Sequence, residues 1–133
     1  MTVPGQLKVM IVDDQQTTRE ISAVMLSANG YRVTTCTDCA DALQRLVSDP
    51  HDALLVNLHM PGMERHEFLR ALNDLPLERP PVKLGMASKM ASDGVSLRPE
   101  LGLRHVVWKP FRGSELRQAL RAALANGDEL AEA

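Results

Sequence analysis

Short apolar runs rich in β-branched residues alternate with helix-periodic segments five times along this chain, and that alternation constrains the fold more than any single motif. Val9-Met-Ile-Val12 ends at Asp13-Asp14, and Ala53-Leu-Leu-Val56 stops at Asn57. Neither run alternates with polar residues, as expected of strands buried on both faces. Arg32–Cys36, Val82–Met86 and His105–Trp108 complete the set of strands. Between them the spacing predicts helices over about Thr17–Ala28, from an Asp38 cap to Ser48, over Glu64–Leu72, and over Ser114–Ala125. The first helix carries Ile21, Val24, Met25 and Ala28 at i, i+3, i+4, i+7, closed by Asn29-Gly30. In the second, Ala42, Leu43, Leu46 and Val47 share a face. In the last, Leu116, Ala119, Leu120, Ala123 and Leu124 do. Gly94 and Pro99 interrupt the segment between Met86 and Val106, so a short or broken helix is expected there.

Such a repeat implies an α/β, doubly wound (βα)5 sandwich around a five-stranded parallel sheet, flavodoxin-like in architecture. One domain is expected over residues 1–133, with a core over 7–125 and a flexible acidic tail over 126–133. Ligands in such sheets bind beyond the carboxyl ends of the strands. That rule selects Asp13, Asp14, Asn57, Met86, Ala87 and Lys109, drawn together from four places in the sequence.

The bulk numbers exclude other classes. A net charge of −2 creates no field toward nucleic acid or membrane. No apolar run has the ~18 residues of a membrane span, and the first residues lack signal-peptide character. A cytoplasmic protein without direct DNA binding is expected, since no DNA-binding segment fits after the last helix. Cys36 and Cys39 form a Cys-x-x-Cys with no second ligand pair, so they read as reduced thiols at a strand–helix junction. His51, His59, His66 and His105 show no metal-ligand spacing.

Three motifs carry a resemblance. They are Val12-Asp13-Asp14, Leu58-His59-Met60-Pro61-Gly62-Met63, and Trp108-Lys109-Pro110-Phe111. Over Leu7–Leu124 the chain resembles the response-regulator receiver domain of two-component signalling. The resemblance implies that an acidic pair, matched by Asp13 and Asp14, helps to hold Mg²⁺. It implies a phosphoacceptor aspartate where this chain has Asn57, a charge-balancing lysine at Lys109, and a cis peptide bond after it. It implies a switch hydroxyl at Met86, an aromatic switch at Val106, and an Asp-Gly at Glu64-Arg65. Ser88 lies close enough to Met86 to suggest a partial substitute.

An amide is neutral and a poor nucleophile, although its carbonyl oxygen could face Mg²⁺. The expected state is therefore a natural pseudo-receiver with weak Mg²⁺ affinity at most, no required cofactor and no enzymatic activity. In it, Lys109 pairs directly with Asp13 and Asp14 and locks the site without a metal. Function is expected through partners: a histidine kinase, a phosphotransfer protein, another signalling protein or a second copy. Two further readings stay open. Arg98, Arg104, Arg112, Arg117 and Arg121, with Trp108, could form a face for an acidic partner or an anionic ligand such as a cyclic dinucleotide. Alternatively, Asp13 or Asp14 could accept phosphate. A flavin-binding flavodoxin is excluded because Asp13-Asp14 would repel a phosphate in the loop after the first strand.

Overall fold

The computed structural model describes residues 7–60, 65–88 and 103–132, with the side chains of 65–66 and 126–132 excepted. Pro61–Glu64, the interrupted segment with Gly94 and Pro99, and Arg98 lie outside the described residues. The elements run β1 (Lys8–Val12), α1 (Gln16–Ala28), β2 (Arg32–Cys36), α2 (Cys39–Ser48), β3 (Ala53–Asn57), α3 (Arg65–Asp74), β4 (Val82–Ser88), β5 (Leu103–Lys109) and α4 (Gly113–Glu132). The five strands form one sheet in the order β2-β1-β3-β4-β5, and every pair is parallel. This is the doubly wound, flavodoxin/CheY-like arrangement that the alternation implies.

Period-2 geometry divides each strand between two cores. Val9, Ile11, Leu55, Leu84, Met86 and Val107 face α1 and α4, where Leu26, Leu116 and Leu120 meet them. Met10, Val12, Leu54, Val56, Ala87 and Leu103 face α2 and α3, against Leu46, Phe68, Leu69 and Leu72. Two-sided burial is why β1 and β3 read as continuous apolar runs.

The helix ends follow local chemistry. Asp38 caps α2, its carboxylate accepting from the Asp41 N–H at 2.7 Å. Gly30, at φ 92°, ends α1 in a left-handed conformation that a side chain resists. The final helix runs to Glu132, beyond the end expected at Ala125. One Asn-Gly step costs a helix only about 1–2 kcal/mol, and the Asp-Glu-Leu-Ala-Glu that follows is largely helix-forming.

The inward face of α1 differs from expectation. Ser22 and Leu26 are buried, whereas Ile21 is 47% and Val24 69% exposed. Ser22, Ala23 and Leu26 pack inward beside half-buried Arg19, a row with the same i, i+3, i+4, i+7 spacing, and Met25 of the expected row also packs against the core. Arg19 reaches back to the strand end, donating from Nη1 to the Asp13 carbonyl at 3.0 Å. With Ser22 and Leu26 turned inward, Ile21 and Val24 face solvent. On α2 the expected face is mostly kept, with Ala42 and Leu46 buried, but Val47 is exposed. Among the described residues no helix is long and apolar enough to cross a membrane.

Candidate functional site at the carboxyl edge of the sheet

The strand ends bring together Asp13, Asp14, Asn57 and Lys109. Asp13 follows β1 directly and is fully buried; Asp14 is exposed. Asn57 ends β3 and is buried. Its amide nitrogen donates to both acidic residues, at 3.0 Å to Asp13 Oδ1 and 3.2 Å to Asp14 Oδ1. Its carbonyl oxygen accepts from the His59 N–H at 3.1 Å. The opposite amide orientation would set a carbonyl against two carboxylate oxygens and an NH₂ against an N–H. The neighbours therefore fix the orientation observed. The nitrogen, and not the carbonyl oxygen that could face Mg²⁺, is turned to the acidic pair.

Asp13 Oδ1 also accepts from the Gln15 N–H at 3.0 Å. Its Oδ2 is buried without a hydrogen bond, and Lys109 Nζ stands 3.8 Å away. That distance makes an ion pair rather than a hydrogen bond. Lys109 therefore supplies field, while the amide makes the direct bonds. Because β5 is an edge strand whose last residue is Lys109, its ammonium can be carried to Asp13 across the strand ends. The Lys109–Pro110 peptide bond is cis, as the resemblance implies.

The remaining expected residues are placed unequally. Met86 sits opposite Asn57 in register but is fully buried in the core facing α1 and α4. Ala87 is buried on the other face. Val106 is half-buried against the core beneath α2 and α3. Trp108 is 41% exposed and borders a groove of about 410 Å³ with Val106, Glu115 and Gln118. Three of the expected arginines make contacts of their own. Arg117 turns toward α1, with Nη1 3.5 Å from Asn29 Oδ1. Arg104 lies on β5, close enough to Lys83 and His105 for its charge to push both of their pKa values down, after burial. Arg112 donates its N–H to Glu115 Oε1 at 2.7 Å, capping α4.

Two contributors escaped the sequence reading. Arg19 fixes the Asp13 backbone. His59 bonds Asn57 through its N–H and accepts the Ser88 N–H at Nε2, at 3.2 Å. Its place two residues after Asn57, inside the Leu58–Met63 motif, was the available signal.

The family model described as the response regulator receiver domain matches residues 9–121. The chain belongs to the response regulator receiver family. Among its relatives is a probable chemotaxis protein CheY of Rhizobium etli, 26% identical over 92% of this chain and 95% of that protein. The response regulator MprA of Mycobacterium ulcerans is 33% identical over 89% of this chain, which spans only 50% of that regulator. Among solved structures, the chemotaxis response regulator CheY4 of Vibrio cholerae superposes with a TM-score of 0.76. It is 25% identical, over 90% of this chain and 99% of that one. FixJ-N gives a TM-score of 0.78 at 26% identity, over 90% and 94%. The receiver family works in two-component signalling, and its domains are signalling modules and not classical enzymes.

Proposed function

We propose that this receiver signals without phosphorylation, by binding protein partners in one fixed state. The observation that carries the reading is the Asn57 amide bridging Asp13 and Asp14. In the receiver scheme a carboxylate at this position attacks a phosphoryl group beside Mg²⁺. An amide has no such nucleophile, and here its N–H groups already occupy the acidic pair. Mg²⁺ takes oxygen ligands in near-ideal octahedral geometry. Asp13 and Asp14 offer oxygens, but the third position offers N–H donors, so the residues as arranged fit the ion poorly. The buried Met86, lying opposite Asn57, cannot hydrogen-bond a phosphate oxygen.

Partner binding keeps its surface. Ile21 and Val24 form an exposed apolar row on α1, which starts beside the site. A histidine kinase or phosphotransfer protein is the partner class that fits a receiver with this face. Ile21→Glu and Val24→Glu are expected to weaken that complex at least tenfold while leaving the Asn57 site intact.

The deciding experiment is incubation with acetyl phosphate and Mg²⁺, followed by intact-mass measurement. No adduct is expected on this chain, and one is expected on the Asn57→Asp variant. A phosphoryl group found on Asp13, Asp14 or any other carboxylate of the unmodified chain overturns the proposal.

A further inference from the structure

We infer that His59 is a positioning residue: a neutral imidazole, protonated at Nδ1, that latches the end of β4 to the loop carrying Asn57. The inference goes beyond phosphorylation and does not depend on it. Backbone N–H groups only donate, so the Nε2 that receives Ser88 N–H at 3.2 Å must present a lone pair. In a neutral ring that places the proton on Nδ1.

The latch has three parts along two adjacent strands. The Leu58 N–H donates to the Met86 carbonyl at 2.8 Å, continuing the β3–β4 pairing past Asn57. The Leu58 side chain fills the space over Gly85, where an added Cβ would come within 2.7 Å of Leu58 Cδ1 and 3.3 Å of Leu103 Cδ1. The His59 ring then takes up Ser88, the last residue of β4. Meanwhile the His59 N–H holds the Asn57 carbonyl at 3.1 Å, which keeps the amide nitrogen on Asp13 and Asp14. The acidic pair, Asn57, His59 and Ser88 thus form one continuous chain of hydrogen bonds across β1, β3 and β4. In a switching receiver, contact between the end of β4 and the acceptor site is made when phosphate arrives. Here the His59 side chain makes it, with no phosphate present.

The test is nitrogen NMR on the full chain with hydrogen exchange. Long-range proton–nitrogen correlation is expected to show His59 Nε2 unprotonated and Nδ1 protonated at neutral pH. In His59→Ala, exchange of the Ser88 amide is expected to rise about tenfold, as for loss of one hydrogen bond. The Leu55 and Leu84 amides should keep their rates, and the Asn57 side-chain NH₂ resonances should stay in place because the backbone N–H of residue 59 is retained. His59→Gln, whose Oε1 can accept, is expected to recover part of the Ser88 protection. Gly85→Ala, which displaces Leu58, is expected to expose Ser88 with His59 unchanged. A proton on Nε2, or Ser88 exchange in His59→Ala that rises only in step with Leu55 and Leu84, overturns the inference.

Discussion

Asn57 donates its amide nitrogen to Asp13 Oδ1 at 3.0 Å, joining the ends of β3 and β1 across 44 residues of sequence. A buried carboxylate is stable only when its charge is met. Here that need is met by two N–H bonds, one from the Asn57 amide and one from the Gln15 backbone, and by the Lys109 ammonium 3.8 Å away.

Asn57→Asp is expected to reverse that balance. A third carboxylate beside Asp13 and Asp14 replaces a donor with a like charge, which raises the cost of the site. Without divalent ions the variant should lose about 1–3 kcal/mol of stability. Millimolar Mg²⁺ should restore most of the loss, because three oxygen donors now face one point. The unmodified chain should respond little to the same addition. Thermal unfolding with and without Mg²⁺ measures both effects, and equal Mg²⁺ responses would show that the amide does not displace the ion.

Ser22 presents a second test within α1. Its Oγ is fully buried and has no hydrogen-bond partner. Ser22→Ala removes a desolvated hydroxyl and adds helix propensity. The variant is expected to gain about 0.5–1.5 kcal/mol in urea unfolding, against the usual sign for a buried truncation.

Ser22 also shows where the sequence stopped being informative. Two rows on α1 share the i, i+3, i+4, i+7 spacing: Ile21-Val24-Met25-Ala28 and Arg19-Ser22-Ala23-Leu26. Hydropathy favours the first; the structure buries Ser22 and Leu26 of the second, packs Met25 of the first against the core, and leaves Ile21 and Val24 exposed. Arg19, on the inward side, reaches the Asp13 carbonyl, a contact no pattern along one helix encodes. The strands were legible because two-sided burial writes continuous apolar runs, and the acidic pair and Lys109 were legible because strand ends converge. The orientation of the Asn57 amide was not, since Asp13 and Asp14, which take its nitrogen, are remote in sequence.

Lys83 should reveal itself through pH. It is buried on β4, and burial, with some repulsion from Arg104, lowers its pKa from 10.5. The unfolded chain therefore holds this proton more tightly than the folded one. Between the lowered folded value and 10.5, folding releases the proton, so the contribution of Lys83 to stability rises with pH. Lys83→Met, which keeps the apolar stem without the charge, is expected to be more stable than the unmodified chain at pH 7. The gap should narrow toward pH 10. A gap that stays constant across denaturant titrations at pH 7, 8.5 and 10 would mean that the ammonium is solvated.

The cysteine pair gives the last expectation. Cys-x-x-Cys thiols become reactive when a helix N-terminus lowers their pKa. Cys39 opens α2, but the Asp38 carboxylate already takes the Asp41 N–H at that end. Burial pushes Cys39 up to about 11, with Asp38 adding to the rise. Cys36 is also pushed up to about 11, chiefly by burial, with Arg45 opposing and Asp41 and Asp38 adding. At neutral pH both thiols should resist modification in the folded state and react in step with unfolding by urea. Their folded values lie above 9.0, so their share of stability is complete below pH 9 and is lost as pH rises through about 11. A Cys36→Ala/Cys39→Ala variant should therefore show a shallower loss of stability between pH 9 and 11. Asp38→Ala removes both the cap and the nearest negative charge, so it should make Cys39 the faster-reacting thiol. Rapid labelling of the unmodified folded chain at pH 7 would instead place these sulfurs at an accessible, activated site.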